Sequence, residues 1–335
     1  MSKFNVLITD FEFATLAPEE EVLATVDATL VRSQCKTEDE VIAAAKEANA
    51  VGLINQYAPI TRKVIESLPN LKVVSRYGVG VNTVDIAAAN EHGVIVANVT
   101  DYCMDEVSDH AFALLISCAR KVVELNQAVK NGNWDYKVGV PIFRLPGRVL
   151  GLVGFGKIPQ TLARKAQAFG IKVIAHDPYV PAEVAKEMNV ELVDLNELCE
   201  RSDFVSVHAP LIEATRGMIS DAQFDAMKKE AFIINTARGP VIDEKALIRA
   251  LEAGKIAGAG LDVLEEEPIL ADNPLLKMDN VILNPHAAWY SEESQDELKR
   301  KTAQNVADVL GGFYPTYLFN RDVKEKVQLK EKEVN

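Results

Sequence analysis

The sequence predicts an α/β protein built from two doubly wound parallel-sheet domains. Three observations carry that prediction. Short β-branched runs alternate with helical stripes from the start to about Val99, the alternation restarts near Arg148 after a long amphipathic stretch, and the chain closes on a further long helix. Alternation of this kind buries a parallel sheet between helical layers. The 335 residues are enough for two such domains, at roughly 100–200 residues each.

In the first series, runs at 5–9, 51–54, 71–75 and 94–97 are rich in Val, Ile and Leu and predict strands. Helical patterns at 37–49, 61–67 and 84–91 lie between them. A helix over 105–131 follows. Val107, Ala111, Leu114, Leu115, Cys118, Val122, Leu125 and Val129 fall on one stripe, with Lys130 in the last turn and Gly132 beyond it. The second series predicts strands at 149–153, 172–176, 204–207, 232–235, 258–261 and 281–283. Helices are predicted over 161–169 and from Asp243 to Gly254, and a last helix over 292–310. The simplest arrangement is a discontinuous first domain, 1–99 plus 288–335, with 100–287 inserted into it. The Lys/Glu-rich end reads as solvated tail.

Composition narrows the function classes. A net charge of −13 argues against a nucleic-acid footprint, which needs a clustered basic face. No apolar run approaches the ~20 residues that span a bilayer, and the N-terminus lacks a basic region followed by a cleavage site. Cys35, Cys103, Cys118 and Cys199 show no CxxC spacing and no histidines at ligand intervals. Reduced thiols in a cytoplasmic protein without a metal site are the expectation.

Residues 151–159 read Gly-Leu-Val-Gly-Phe-Gly-Lys-Ile-Pro between a strand and a helix. Gly154 permits a tight turn, Gly156 permits close backbone approach, and the N–H groups of Lys157 and Ile158 face an anion at the helix start. Pro159 replaces the third glycine of the dinucleotide fingerprint. That glycine serves helix–strand packing, and proline is tolerated in a first turn, so the phosphate site is expected intact. Asp177 ends the next strand, about 20 residues on, where an acid accepts a ribose hydroxyl and repels a 2′-phosphate. The reading favours NAD over NADP.

Three later segments deliver charge beyond strand ends, where open parallel sheets bind ligands. They are Asn235-Thr236-Ala237-Arg238-Gly239, the run from Asp262 through Glu267 to Pro268, and Asn284-Pro285-His286. With Gly78-Val79-Gly80-Val81-Asn82 and the glycine turn, these motifs stand in the order found in the D-isomer-specific 2-hydroxyacid dehydrogenases. The chain resembles that family over nearly its whole length. Residues 100–107 and Ala288-Trp289-Tyr290-Ser291 resemble its subgroup related to the C-terminal-binding-protein corepressors.

The resemblance implies a Rossmann NAD-binding domain inserted into a flavodoxin-like substrate domain. It also implies hydride transfer between nicotinamide and C2 of a small 2-hydroxy or 2-keto acid of D configuration. His286 is then the acid/base, which suits a group titrating near neutrality. Glu267 is its partner, preferred over Glu265 and Glu266 because the family's glutamate directly precedes a proline. Arg238 binds and polarises the substrate with its planar fork. The N–H groups of Val79 and Gly80 hold the carboxylate, and Asp262 faces the nicotinamide carboxamide. His208, Ala209, Pro210, Thr215, Thr236 and Ala237 line the cofactor.

Tyr57, Tyr102 and Trp289 are candidate pocket walls, and His92, His110 and His176 read as structural. Glyoxylate, hydroxypyruvate, pyruvate, a phosphorylated acid and a branched keto acid all stay open as substrates. In the family the equivalents of the helix over 105–131 and the loop 134–143 meet a partner subunit, so the resemblance implies a homodimer. The competing class is an NAD(H)-sensing binding protein, a corepressor-like scaffold with little turnover.

Overall fold

A computed structural model describes residues 3–332. They divide into two compact units, 3–102 with 291–332, and Cys103–Tyr290. The chain passes between them at 102/103 and 290/291, a few residues beyond the expected boundaries.

The first unit holds five parallel strands: β1 (Phe4–Ile8), β2 (Ala28–Arg32), β3 (Gly52–Asn55), β4 (Val73–Arg76) and β5 (Ile95–Ala97). Their order is β2-β1-β3-β4-β5, the flavodoxin-like order. Val6, Ile54 and Val74 are completely buried, because helices cover both faces. The helix Glu38–Glu47 starts on a capping box: Thr37 accepts from the Glu40 N–H while the Glu40 side chain accepts from the Thr37 N–H. The last helix, Glu292–Leu310, is capped by Ser291 and packs on the sheet of this unit.

The second unit holds seven parallel strands: β6 (Val149–Val153), β7 (Lys172–His176), β8 (Glu191–Leu192), β9 (Phe204–Val207), β10 (Phe232–Asn235), β11 (Gly258–Leu261) and β12 (Val281–Leu283). The order β12-β11-β10-β9-β6-β7-β8 is that of a Rossmann sheet extended by one strand. Succession reverses direction between β6 and β9, and the crevice beyond their carboxyl ends is where such sheets bind ligands. Two clusters sandwich the sheet. Leu150, Leu152, Leu162 and Leu115 pack on one face, and Val153, Leu198, Phe224 and Leu247 on the other.

The helix expected over 105–131 is corrected to two. Met104–Arg120 ends at Lys121, whose backbone is left-handed at φ 52°, and Val122–Lys130 starts anew. The left-handed residue turns the second half of the stripe away from the core. Val107, Leu115 and Cys118 are buried, whereas Val122 and Val129 are exposed. No glycine or proline marks the break, since a lysine occupies a conformation costing roughly 1–2 kcal/mol. The edge strands β2 and β8 also lie outside the sequence expectation.

Candidate active site in the dinucleotide-binding unit

The glycine turn leaves β6 at the switch point. Gly154 adopts φ +92°, and a Cβ there would lie 3.0 Å from the backbone of His208 and Ala209, which leave the neighbouring β9. Only glycine permits that approach. Gly156 caps the helix Lys157–Ala168 with φ −75°, and a Cβ there meets nothing within 4 Å. The Cβ direction at the helix start is therefore open, and the free N–H groups of the first turn suit an anion such as a dinucleotide pyrophosphate. The helix starts four residues earlier than expected, with Pro159 buried in its first turn.

Asp177 stands at the end of β7, with its carboxylate set by the backbone. Oδ2 accepts from the Phe155 N–H at 2.8 Å, and Oδ1 from those of Tyr179 and Val180 at 2.8 and 3.2 Å. The acid is thereby tied to the glycine turn, and its remaining lone pairs suit ribose hydroxyls. Across the crevice, burial pushes His208 down to about 3, so it stays neutral and shares a hydrogen bond with Ser206 Oγ at 2.8 Å. The wall continues through Ala209 and Pro210 to Thr215, whose hydroxyl donates to the Pro210 carbonyl.

The charged residues sit beyond β10, β11 and β12. Asn235, buried at the end of β10, folds the next segment around its side chain. Its Oδ1 accepts from the Ala237 N–H and its Nδ2 donates to the Arg238 carbonyl, both at 3.0 Å. This turn carries Thr236, Ala237 and Arg238. Gly239 then lets the segment cross the one that follows β11, since a Cβ there would overlap the Leu264 carbonyl at 1.9 Å. The crossing brings Arg238 near enough to Glu267 to act on its charge.

Glu267 accepts from the Leu264 N–H through Oε1 at 3.0 Å and engages His286 Nδ1 through Oε2 at 2.8 Å. Burial works to raise its pKa. The His286 hydrogen bond and charge, the Leu264 N–H and the Arg238 charge outweigh burial and hold the carboxyl below its usual range. Glu265 turns elsewhere and accepts from the Glu244 N–H.

His286 has a left-handed backbone, φ +53°, held by Asp262. The His286 N–H donates to the Asp262 carbonyl at 2.8 Å, and the N–H groups of Ala287 and Ala288 donate to its two carboxylate oxygens at 2.9 Å. Val79 and Gly80 lie in the other unit, beyond the end of β4. Among the described residues no group accepts from either N–H.

Residues 112–288 match the model of the D-isomer-specific 2-hydroxyacid dehydrogenase NAD-binding domain, just over half the chain. The chain belongs to this family. It is 43% identical over 82% of its length to D-3-phosphoglycerate dehydrogenase of Methanocaldococcus jannaschii, and covers 52% of that protein. It is 42% identical over 79% of its length to glyoxylate reductase of Korarchaeum cryptofilum, covering 81% of that protein. It thus spans about half of the first relative and most of the second. D-lactate dehydrogenase of Aquifex aeolicus, solved with NAD and lactic acid, superposes with a TM-score of 0.81. That match covers 92% of this chain and 96% of the other, at 28% identity.

Two features of this family member escape motif reading. His110 Nε2 lies 3.5 Å from Asp262 Oδ1, and the Asp262 carboxylate clamps the His286 loop. His110 sits in a regular helix, and nothing local marks it as facing the end of β11. The clamp is invisible because its donors are backbone groups. Among the described residues no cluster of His, Cys, Asp and Glu could hold a metal ion, and no helix is long and apolar enough to cross a membrane.

Proposed function

We infer that this family member is an NAD-dependent dehydrogenase of small D-2-hydroxy acids, working reversibly on the 2-keto acid. The observation that carries the reading is the Glu267–His286 pair at 2.8 Å, beyond the same sheet edge as Arg238 and the dinucleotide cradle. Bound nicotinamide supplies or takes the hydride at C2.

The chain's own residues manage the proton and the charge. With Nδ1 of His286 engaged by Glu267, Nε2 is the nitrogen left to give a proton to the carbonyl oxygen or remove it from the hydroxyl. Glu267 holds the imidazole by Nδ1 and so fixes the direction in which Nε2 faces. Arg238 polarises the carbonyl and pairs with the carboxylate; in the other unit, Val79 and Gly80 carry two N–H groups suited to a carboxylate. Asp177 supports NAD in preference to NADP.

A homodimer accompanies this reading. The helix Val122–Lys130 has no buried residue, and Trp134 and Tyr136 on the following loop are 88% and 76% exposed. An apolar face of this kind suits a subunit interface. Four free, buried cysteines suit a cytoplasmic setting.

The test is NADH oxidation with a panel of 2-keto acids graded in size and charge, on wild type and His286→Ala. Turnover that falls by about 10²–10⁴ in the variant, with NADH binding retained, supports the reading. Tight NADH binding without turnover on any acid would refute it and favour the sensor.

A further inference from the structure

Beneath the Val79–Gly80 turn the first unit buries charges that the proposed chemistry does not use. Glu19, on the helix Ala17–Ala24, is fully buried, and Lys299, on the helix Glu292–Leu310, is 2% exposed. Lys299 Nζ lies 3.7 Å from Glu19 Oε2 and donates to the Thr15 carbonyl at 2.6 Å. The other carboxylate oxygen, Oε1, accepts from the Tyr77 hydroxyl at 2.6 Å. The Tyr77 ring meets Phe13 edge-on at 5.0 Å, and Lys299 Nζ stands 5.4 Å above that same Phe13 ring.

A buried ion pair is a poor way to gain stability. Desolvation of both charges is large, and well-packed apolar side chains of similar volume do as well or better. Burial in fact outweighs the Tyr77 bond and the Lys299 charge and leaves Glu19 above the usual carboxylate range. What the pair does supply is direction, because a fixed acceptor sets where the Tyr77 hydroxyl must lie.

Tyr77 is the residue from which the turn springs. Its N–H donates to the Asn55 carbonyl at 2.9 Å, and Gly78 follows at φ +100°. The Gly78 carbonyl then accepts from the Val99 N–H at 3.0 Å, and the Val79 carbonyl from Asn98 Nδ2 at 2.6 Å. With both carbonyls held by Asn98 and Val99, the N–H groups of Val79 and Gly80 have no internal acceptor among the described residues. We propose that Tyr77, anchored by Glu19 and Lys299, is a positioning residue that sets this N–H pair for the substrate carboxylate. The proposal rests on the assignment of Val79 and Gly80 to the carboxylate made above.

Two measurements separate the proposal from that assignment. The first adds oxamate, a 2-keto acid isostere, to the ¹⁵N-labelled protein with NADH and follows the amide resonances of Val79 and Gly80. Both should shift, and if neither does, the assignment and the proposal fall together. The second is kinetics of Tyr77→Phe, which keeps the ring on Phe13 but removes the hydroxyl. The expected result is a KM for the 2-keto acid raised about tenfold, kcat changed less than about threefold and NADH affinity retained, the pattern of lost substrate binding.

A pair of double variants guards against a purely structural effect. Glu19→Gln with Lys299→Met removes both charges yet leaves an amide oxygen for Tyr77, and should keep the wild-type KM. Glu19→Leu with Lys299→Met should raise it as Tyr77→Phe does. If oxamate shifts the two amides but KM is unchanged in Tyr77→Phe, or equal in the two double variants, the positioning role is refuted and the carboxylate assignment stands.

Discussion

Replacing Gly156 with alanine separates binding of the cofactor from stability of the fold. Gly156 has φ −75°, which any residue adopts, and its Cβ direction is open for 4 Å. The free protein should therefore hardly notice the methyl group. Glycine to alanine at a helix N-cap costs at most about 1 kcal/mol, a shift of roughly 2–4 °C in a unit of this size. The same methyl group fills the space a pyrophosphate would take in front of the Lys157 and Ile158 N–H groups. Losing one charge-assisted hydrogen bond costs about 1.5–3 kcal/mol, so NADH should bind roughly 10–150-fold more weakly. Gly154→Ala is the contrast. There φ is +92° and the Cβ would press on the backbone of His208 and Ala209 at 3.0 Å, so about 1–3 kcal/mol of strain appears before any cofactor is added. The assays are thermal unfolding without cofactor and NADH titration by fluorescence. Wild-type NADH affinity in Gly156→Ala would refute the phosphate cradle, and an unfolding loss equal to that of Gly154→Ala would refute the open space.

Three further variants test the site and the proposed dimer face. Glu267→Gln should lower kcat for keto-acid reduction roughly 10–100-fold, because a neutral hydrogen bond is about half as strong as the charge-assisted one. The folded pKa of Glu267 is depressed, so its share of stability is complete above the usual value of 4.5 and is lost as pH falls through the lowered one. The gap in melting temperature between wild type and Glu267→Gln should thus be open at neutral pH and close in acid. Asp262→Asn leaves one of the Ala287 and Ala288 N–H groups facing an amide –NH₂, a loss of about 1–3 kcal/mol; both melting temperature and kcat should fall, and an unchanged kcat would show that the clamp does not position His286. Val123→Glu, at an exposed position of the helix Val122–Lys130, should convert the proposed dimer to a monomer by light scattering while melting temperature holds.

Legibility tracked how local the cause was. All six strands expected in the second unit appear with the same limits, because each is a hydrophobic run bounded by turn residues. The two strands that escaped are edges. β2 (Ala28–Arg32) buries only Ala28, and β8 has two residues, so neither shows the two-sided hydrophobicity of a central parallel strand. The break at Lys121 escaped for another reason. Lysine has no preference for left-handed backbone, so residue type does not mark the break.

The same distinction runs through the site. The roles proposed for Gly154, Gly156, Asp177, Arg238, Glu267 and His286 rest on side-chain chemistry or the lack of a side chain, so residue type at a given spacing suffices to nominate them. Asn235, Gly239 and Asp262 shape backbone instead. Asn235 folds the Arg238 turn, Gly239 lets it cross the loop after β11, and Asp262 holds the left-handed His286 through N–H groups of Ala287 and Ala288. Their role depends on which strand ends are neighbours, and that follows from the sheet order. The three acid candidates 265–267 show the consequence. Glu265 binds the Glu244 N–H and Glu267 binds His286, a division set by the crossing at Gly239. A chemically identical run of glutamates becomes one structural residue and one partner of the histidine only after the chain is folded.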